Sequence, residues 1–570
     1  MIETSARARI VYLSMATIAA CLSACGGTDP SDTSEAAAST TSALRPGTPT
    51  NQKPAVGYLT MTGCTATVVD AKYVMTSAAC VNYASDARAD GFQAKDVNGN
   101  NYTWLAVDRA YSLTTTTGEE DIAFARLATP TPVPPATIST SSPQFGQQVT
   151  AFGFNNAFAP GTLGKTYVTY GHADFTQFIG NSYDWGGPRF YGAVDGTGAI
   201  WGINNVFSTY WNQDFIAPAW KYAPAGLRGV KLFGGSTMTM SGAGDFATRS
   251  TRVGLTLVSG DFNRDGIGDL ALPGGFSQNT IPVAFGTSTG GWTVTNYVVA
   301  DAFAQAAPFH TVVAADFNGD GSTDLAVVGS SSTGGSIPVA LSNHNGTFTV
   351  QTWQAPNLNA FASSSNVRTV SGDFDGDGDG DIALFGANGW TTAVVATSNR
   401  NGTFSVTNRT LPPGFNDWSR ALKVKVAVGD FDKDGDADIA LTGADGWTTL
   451  PVAFSNRDGT FSISNQGAPE FAAWAAAGQF GAQIVAGDFD GDGDTDLAAL
   501  NADSRNIKFA LAQVGYGIPK GIFQAARLPM SAQVEYVTQG RAMPLKAAGR
   551  TNLAAVYSST PNLPVVFLKP

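Results

Sequence analysis

Acidic side chains gather in five short segments of this 570-residue chain: GDFNRDGIGDLAL, ADFNGDGSTDLAV, GDFDGDGDGDIAL, GDFDKDGDADIAL and GDFDGDGDTDLAA. They hold 21 of the 45 acidic residues, so the negative charge is local rather than spread over the surface. Counting each segment from its first aspartate, positions 1, 3, 5 and 9 offer side-chain oxygens. These are Asp261, Asn263, Asp265 and Asp269, then Asp316, Asn318, Asp320 and Asp324. The third, fourth and fifth sets are Asp373, Asp375, Asp377 and Asp381; Asp430, Asp432, Asp434 and Asp438; and Asp488, Asp490, Asp492 and Asp496. Glycine at position 6 permits a sharp turn, and position 7 adds a backbone carbonyl. Hard oxygen ligands in that number suit calcium, and no His or Cys is present to suit zinc. Unneutralised, carboxylates this close repel one another. About five calcium ions would bring ten positive charges against a formal net charge of −12. An EF-hand is the competing reading, but it needs Glu at position 12 and flanking helices. Position 12 of the third segment is Leu384, inside a strand-like run.

A second set of residues raises the question of nucleophilic catalysis. The stretch GCTATVVDAKYVMTSAAC, residues 63–80, is followed by EEDIAFARL and later by YDWGGP. Together these resemble the trypsin-like (chymotrypsin-family) serine proteases, whose corresponding stretches carry the triad His, Asp and Ser. The resemblance puts Ala79 at the His position, Asp121 at the Asp position and Trp185 at the Ser position. A serine nucleophile needs an adjacent base, and the base needs an orienting carboxylate. Only the orienting carboxylate is retained. The chain has three histidines, His172, His310 and His344, and only His172 falls in this region, after Asp121 rather than before it. Ser182 could serve as nucleophile only if YDW were an insertion, and DWGGP aligns without gaps. KPAVGY replaces the family's cleavable start, so Asp184 has no evident amine partner. The expectation is a trypsin-like double β-barrel without catalytic activity.

The elements that carry the acidic segments repeat. The five first aspartates are spaced 55, 57, 57 and 58 residues apart, and a degenerate sixth copy, KAAGRTNLAAV, has lost its acidic loop. Each unit reads as four strand-like runs with turn signals between them, the mark of propeller blades. The units resemble FG-GAP or VCBS repeats, found in integrin α-subunit propellers and many bacterial surface proteins. The resemblance implies that the metals brace the first-to-second-strand loops and are structural. About six blades are expected, possibly seven. The run VKLFGGSTMTM reads as two strands that would join LPVVFLKP and close the ring. On the opposite face, Trp390 and Trp447 begin third strands, while Phe361, Trp418 and Trp474 fall in the connections to the next blade. Such aromatics can stack on sugars, serve as protein hot spots, or pack between blades.

Composition supports an exported all-β chain: charged residues are only 14% and glycine is abundant. Arg7 and Arg9 precede a short apolar run, and LSAC then resembles a bacterial lipobox with Cys25 as the lipidated residue. No later run is long enough for a membrane span. The expected organisation is a lipoprotein signal peptide at 1–24, a disordered tether at 25–51, a trypsin-like domain at 52–228 and a repeat propeller at 229–570. Cys64 and Cys80 remain after the tether, as an exported pair reading as one disulfide, at the positions where the protease family has one. The chain lacks a basic patch for nucleic acid. The expected function is binding or adhesion at the bacterial cell envelope, the outer membrane or cell surface, toward an extracellular protein or glycan. The alternatives are a carbohydrate-binding lectin-like propeller and an active serine endopeptidase with displaced catalytic residues.

Overall fold

The computed structural model describes residues 48–49, 55–60, 64–82, 91–94, 105–112, 122–141, 148–154, 163–169, 175–176, 188–191, 200–208, 213–217, 219–233, 236–240, 246, 249–250, 255–274, 279–287, 291–299, 301–330, 334–477, 482–500, 506–515, 518–529, 537–545, 550–557 and 563–567. The signal peptide, Cys25 and most of the tether lie outside them. Thr48–Pro49, expected in the tether, instead pairs antiparallel with Gly164 and Lys165. An open sheet edge accepts any extended segment that can present its backbone. None of the described helices is long and apolar enough to cross a membrane.

The trypsin-like region begins with a closed six-stranded barrel: Val56–Leu59, Thr65–Asp70, Tyr73–Thr76, Ala123–Leu127, Leu105–Ser112 and Gly91–Ala94, the last pairing back with the first. Val68, Val74, Phe92 and Ala125 fill its interior. The expected second barrel is a seven-stranded sheet with two-residue strands, Thr48–Pro49 and Phe175–Thr176, at its edges. Edges this short supply too few ladder bonds to close it among the described residues.

Five blades follow, each of four consecutive antiparallel strands. Blade 1 is Val258–Gly260, Asp269–Ala271, Thr280–Gly286 and Trp292–Val298. Blade 2 is Thr311–Ala315, Asp324–Val328, Ser336–Ser342 and Phe348–Gln354, and blade 3 is Arg368–Gly372, Asp381–Phe385, Thr392–Ser398 and Phe404–Thr410. Blade 4 is Lys425–Gly429, Asp438–Thr442, Thr449–Ser455 and Phe461–Gly467, and blade 5 is Gln483–Gly487, Asp496–Leu500, Asn506–Ala512 and Phe523–Pro529. Among the described residues, blades of this repeated kind thus number five rather than six or seven. A further four-stranded sheet is composite: Val537–Leu545, Arg550–Tyr557 and Leu563–Phe567 are joined by Ser236–Met240 from the other end of the region. Its strand Val537–Leu545 lies against the first strands of both blade 5 and blade 1. The second strands, such as DIALF in blade 3, are buried at every position, because they are covered on both faces by neighbouring blades. The outer strands are buried at their first residue and intermediate or exposed beyond it.

Each acidic loop after the first docks on the loop of the preceding blade. The amide at position 8 donates to the position 1 carbonyl of that loop: Thr323 to Asp261 at 2.8 Å, Gly380 to Asp316 at 2.6 Å, Ala437 to Asp373 at 2.5 Å and Thr495 to Asp430 at 2.7 Å. The position 2 phenylalanine packs edge-on against the first residue of the next blade's outer strand, as Phe317 on Phe404 at 5.8 Å and Phe374 on Phe461 at 6.2 Å. Side-chain latches add to this: Ser342, Ser398 and Ser455 each donate an Oγ–H to the position 2 carbonyl of the preceding blade, at 2.6–2.7 Å.

The contact leaves room for only one side chain of any size. A Cβ on Gly429 would stand 2.3 Å from the Thr495 side chain, and one on Gly260 would stand 2.4 Å from Thr323. In blade 2 the glycine before the loop is replaced by Ala315, and the residue facing it is then Gly380, where a Cβ would fall 2.2 Å from that of Ala315.

The short connections between blades are helical: Asp301–Ala306, Leu358–Ala362, Phe415–Ser419 and Pro469–Ala476. A longer helix, Ala219–Phe233, spans the expected domain boundary at 228, and its VKLF end is helical rather than the strand expected. Tyr222, Ala223 and Val230 pack into the barrel core with Val56, Tyr73 and Phe124. The same helix lies along the outer strand of blade 5, where Arg228 donates to the Ala525 carbonyl at 2.8 Å and the Arg527 guanidinium sits 4.7 Å from the Tyr222 ring.

Gly380→Ala is expected to destabilise the chain by about 1–3 kcal/mol through overpacking. Ala315→Gly in the same chain should restore most of the loss. A chemical-denaturation double-mutant cycle measures this, and additive effects would show that the two sites do not face each other.

Candidate metal loops and the protease-like site

Each acidic loop leaves the end of a first strand and ends on position 9, the first residue of the second strand. Position 6 is a glycine with φ between 80° and 96° in all five loops, a conformation that side chains disfavour. The position 1 carboxylate gathers amides from within the loop: Asp261 accepts from Asp265 at 3.1 Å and Gly266 at 2.7 Å, and Asp373 accepts from Gly378 at 2.8 Å. The position 9 carboxylate is buried and tied at both oxygens. Asp381 accepts the amides of Phe374 and Ser398, both at 2.9 Å, and Asp438 accepts those of Phe431 and Ser455, both at 2.9 Å. Asp269, Asp324 and Asp496 make the same two bonds. This residue therefore pins the loop to the end of the third strand.

Three loops bring carboxylates together. Oxygens of Asp373, Asp375 and Asp381, of Asp430, Asp432 and Asp438, and of Asp488, Asp490 and Asp492 lie within 4.8 Å of one another. The loops of blades 1 and 2 do not form such three-carboxylate groups. Their Asn263 and Asn318 side chains instead donate to Asp265 at 3.1 Å and Asp320 at 2.9 Å, while accepting the amides of the same residues. The amide side chain thus replaces a repulsive pair of carboxylates with a hydrogen bond.

The donor set fits a hard divalent cation. All candidate ligands are oxygens, and among the described residues a buried carboxylate oxygen of Asp375 has no hydrogen-bond partner, an arrangement expected where a cation supplies the missing interaction. Asp373, Asp375 and Asp381 would hold it in blade 3, Asp430, Asp432 and Asp438 in blade 4, and Asp488, Asp490 and Asp492 in blade 5. Asp377, Asp434 and Asp496 belong to the same loops without joining these closest groups.

Position 7 was assigned only a carbonyl from the sequence, yet its side chain matters in the last three loops. Asp379, Asp436 and Asp494 are buried. The guanidinium of Arg400 pairs with Asp379 and donates to the Asp377 carbonyl at 2.9 Å. Arg457 pairs with Asp436 at 3.0 Å and also donates to the Asp434 carbonyl. The signal was available in the sequence of blades 3 and 4, where aspartate at position 7 accompanies arginine in the SNR turn of the same blade; blade 5 has Asp494 without that arginine.

Burial is the main cause of the shifted carboxyls at position 9. It pushes Asp269, Asp381 and Asp438 up to about 8 and Asp324 to about 7, with neighbouring aspartates adding to the rise and the two amide bonds opposing it. Asp496 is raised well above the usual carboxylate range for the same first reason.

The five aromatics of the opposite face are all half-buried. Trp390 packs edge-on against Phe361 at 5.8 Å, and both contact the core between blades 2 and 3. Trp418 and Trp447 lie against the core between blades 3 and 4. Trp474 is flanked by Arg527 at 4.6 Å and Lys508 at 5.2 Å, at the contact with the Ala219–Phe233 helix.

In the trypsin-like region the strand Tyr73–Thr76 leads into the helix Ala78–Asn82, which carries Ala79. Cys80 of this helix forms a disulfide with Cys64. A cross-link closing a loop of this size contributes roughly 3 kcal/mol. Asp121, His172, Ser182, Asp184 and Trp185 lie outside the described residues. His310 and His344 are in the propeller. His310 Nδ1 is 2.8 Å from the Ala306 carbonyl, and His344 Nε2 is 3.0 Å from Ser322 Oγ.

An antiparallel barrel followed by a propeller with acidic first-to-second-strand loops defines an all-β protein of two known modules. Residues 64–195 match the trypsin-like peptidase domain family, and residues 316–384, 373–441 and 430–499 match the FG-GAP-like repeat family. The chain carries a trypsin-like peptidase domain followed by FG-GAP-like repeats. No curated protein sequence matches it. Similar solved structures include an Agrocybe aegerita lectin described as specifically recognising non-reducing terminal N-acetylglucosamine, 19% identical over 53% of this chain and 74% of that one, with a TM-score of 0.37. They also include a human heparin binding protein, 13% identical over 30% and 91% of the two chains, TM-score 0.26. A scabies mite inactivated protease paralogue is 13% identical over 31% and 93%, TM-score 0.26.

The raised position 9 carboxyls set a pH dependence for the metal-free chain. Their folded values lie above the unfolded carboxylate value of about 4, so their contribution is complete below that pH and is lost as pH rises through about 7–8. In EDTA the melting temperature should therefore fall between about pH 5 and pH 8.5. Calcium should raise it, most at the alkaline end, by binding the folded form. An alkaline melting temperature unmoved by either EDTA or calcium would contradict metal binding at these loops.

Proposed function

We propose that this protein is a surface-anchored binding or adhesion lipoprotein whose calcium-braced propeller engages an extracellular protein or glycan. The trypsin-like domain acts in it as a scaffold without peptidase activity. The observation that carries the second statement is Ala79, which stands in the helix before Cys80 where the related proteases place their general base. Alanine has no group that accepts a proton, and the position corresponding to the nucleophile is Trp185. Calcium supplies no catalysis in this reading. It neutralises the Asp loops and holds first and second strands together, leaving the opposite face free to bind. The lipobox-like LSAC and the Ser/Thr/Pro-rich segment after it support anchoring to the bacterial envelope, outer membrane or cell surface, by lipid alone.

Labelling with a fluorophosphonate serine probe is expected to leave the chain unmodified, and stoichiometric labelling would establish an active endopeptidase with displaced residues. A second reading, a carbohydrate-binding propeller, is favoured by the recurrence of Trp390 and Trp447 at matching places in successive blades. On a glycan array it requires a signal that weakens in EDTA and in Trp447→Ala. Absence of any calcium-sensitive signal would leave protein adhesion as the function.

A further inference from the structure

The three loops with convergent carboxylates differ in what neutralises them. In blade 3, among the described residues, no ammonium or guanidinium pairs with Asp373, Asp375 or Asp381; Arg400 is engaged by Asp379. In blade 5, Asp488, Asp490 and Asp492 are likewise free of cationic side chains, although Lys433 donates to the Asp492 carbonyl. In blade 4 a cation is already lodged among the carboxylates. The Lys520 ammonium contacts Asp432 and lies 3.6 Å from Asp434.

Lys520 reaches this loop from the neighbouring blade because one hairpin is longer. The turn between third and fourth strands covers residues 399–403 in blade 3 and 456–460 in blade 4, but 513–522 in blade 5. The longer hairpin places Val514 two residues beyond the third strand, where blades 3 and 4 have Arg400 and Arg457. Its far arm lies on the outer strand of blade 4. The Lys520 carbonyl accepts from Ser464 Oγ at 2.8 Å, its ammonium sits 5.3 Å from the Phe454 ring centroid, and Gly521 at φ 83° would bring a Cβ within 2.7 Å of Ser464 Oγ. The backbone of the hairpin is thus seated, while the lysine side chain is 52% exposed against 3% for Asp432. The lysine is the partner able to leave.

We propose that Lys520 is a tethered counter-ion that competes with a divalent cation for the blade 4 loop. The blade 4 loop then takes calcium more weakly than the loops of blades 3 and 5, and metal entry there releases the lysine from Asp432. This rests on the calcium reading of the loops. The ammonium offers one charge already in place at no cost in association, so calcium must displace it as well as lose water.

Calcium titration of the metal-stripped full chain by calorimetry tests this. In the wild type one site should be weaker than the tightest sites by about tenfold or more, the scale of one displaced charge pair. Lys520→Met keeps the stem over Phe454 and removes the charge, so the weak site should join the tight class. Lys520→Arg should retain the weak site, and adding Asp432→Asn to Lys520→Met should abolish the gain, because Asp432 is one of the three converging carboxylates. A half-exposed position tolerates these changes, and a cooperative melt of each variant verifies folding. If Lys520→Met titrates like the wild type, with the tight sites present, the inference is overturned while the calcium reading stands. If neither protein takes up calcium, both are overturned.

Discussion

The propeller depends on one recurring contact, the docking of each acidic loop on the loop before it. The position 8 amide reaches the position 1 carbonyl of the preceding blade, the position 2 phenylalanine fills the space beside the next outer strand, and a buried position 9 aspartate holds the loop to its own third strand. These are short-range hydrogen bonds made in partly buried loops, where an unmade one costs more than a made one gains. The geometry also demands close backbone approach. That explains why glycine stands before most loops and why Ala315 is matched by Gly380 rather than by a larger residue.

The same contact creates an electrostatic problem. Loops rich in aspartate are packed together and partly buried, where like charges interact strongly. The chain answers it in several ways. Asn263 and Asn318 exchange a charge for an amide, Arg400 and Arg457 neutralise position 7, Lys520 reaches across from the next blade, and the remaining carboxylates converge on points suited to a cation. Neutralisation by a tethered side chain does not depend on ion concentration, whereas a bound ion makes stability depend on it.

The trypsin-like half keeps the features that hold a barrel together. Its disulfide, its buried valines and its closing strand pair are intact, and the Ala219–Phe233 helix packs as part of the barrel core. The helix also carries the contact with blade 5. Gly229 lies so close to that blade that a Cβ would fall 1.8 Å from the Arg527 carbonyl oxygen. Arg527 stacks between Tyr222 and Trp474, so an aromatic that looked free to bind ligand is covered where the two halves meet.

Period, loop chemistry and cysteine pairing were legible in the residues themselves. The 57-residue spacing, the D-x-D-x-D-G pattern and the pair Cys64 and Cys80 each rest on local backbone demands or on composition, which a linear chain displays. The tether's edge strand and the helix spanning residue 228 were less legible, because each depends on segments distant in sequence finding one another, whereas the pairing of Ser236–Met240 with Leu563–Phe567 could be read from the two ends of the repeat region. The aromatic positions were visible as a repeat, but whether they face solvent is decided by what the adjacent blade places over them. So too with charge: the sequence displays every aspartate, while only tertiary structure brings Lys520 to Asp432. Coulomb energy falls with distance and dielectric, and both are properties of the folded chain rather than of the order of its residues.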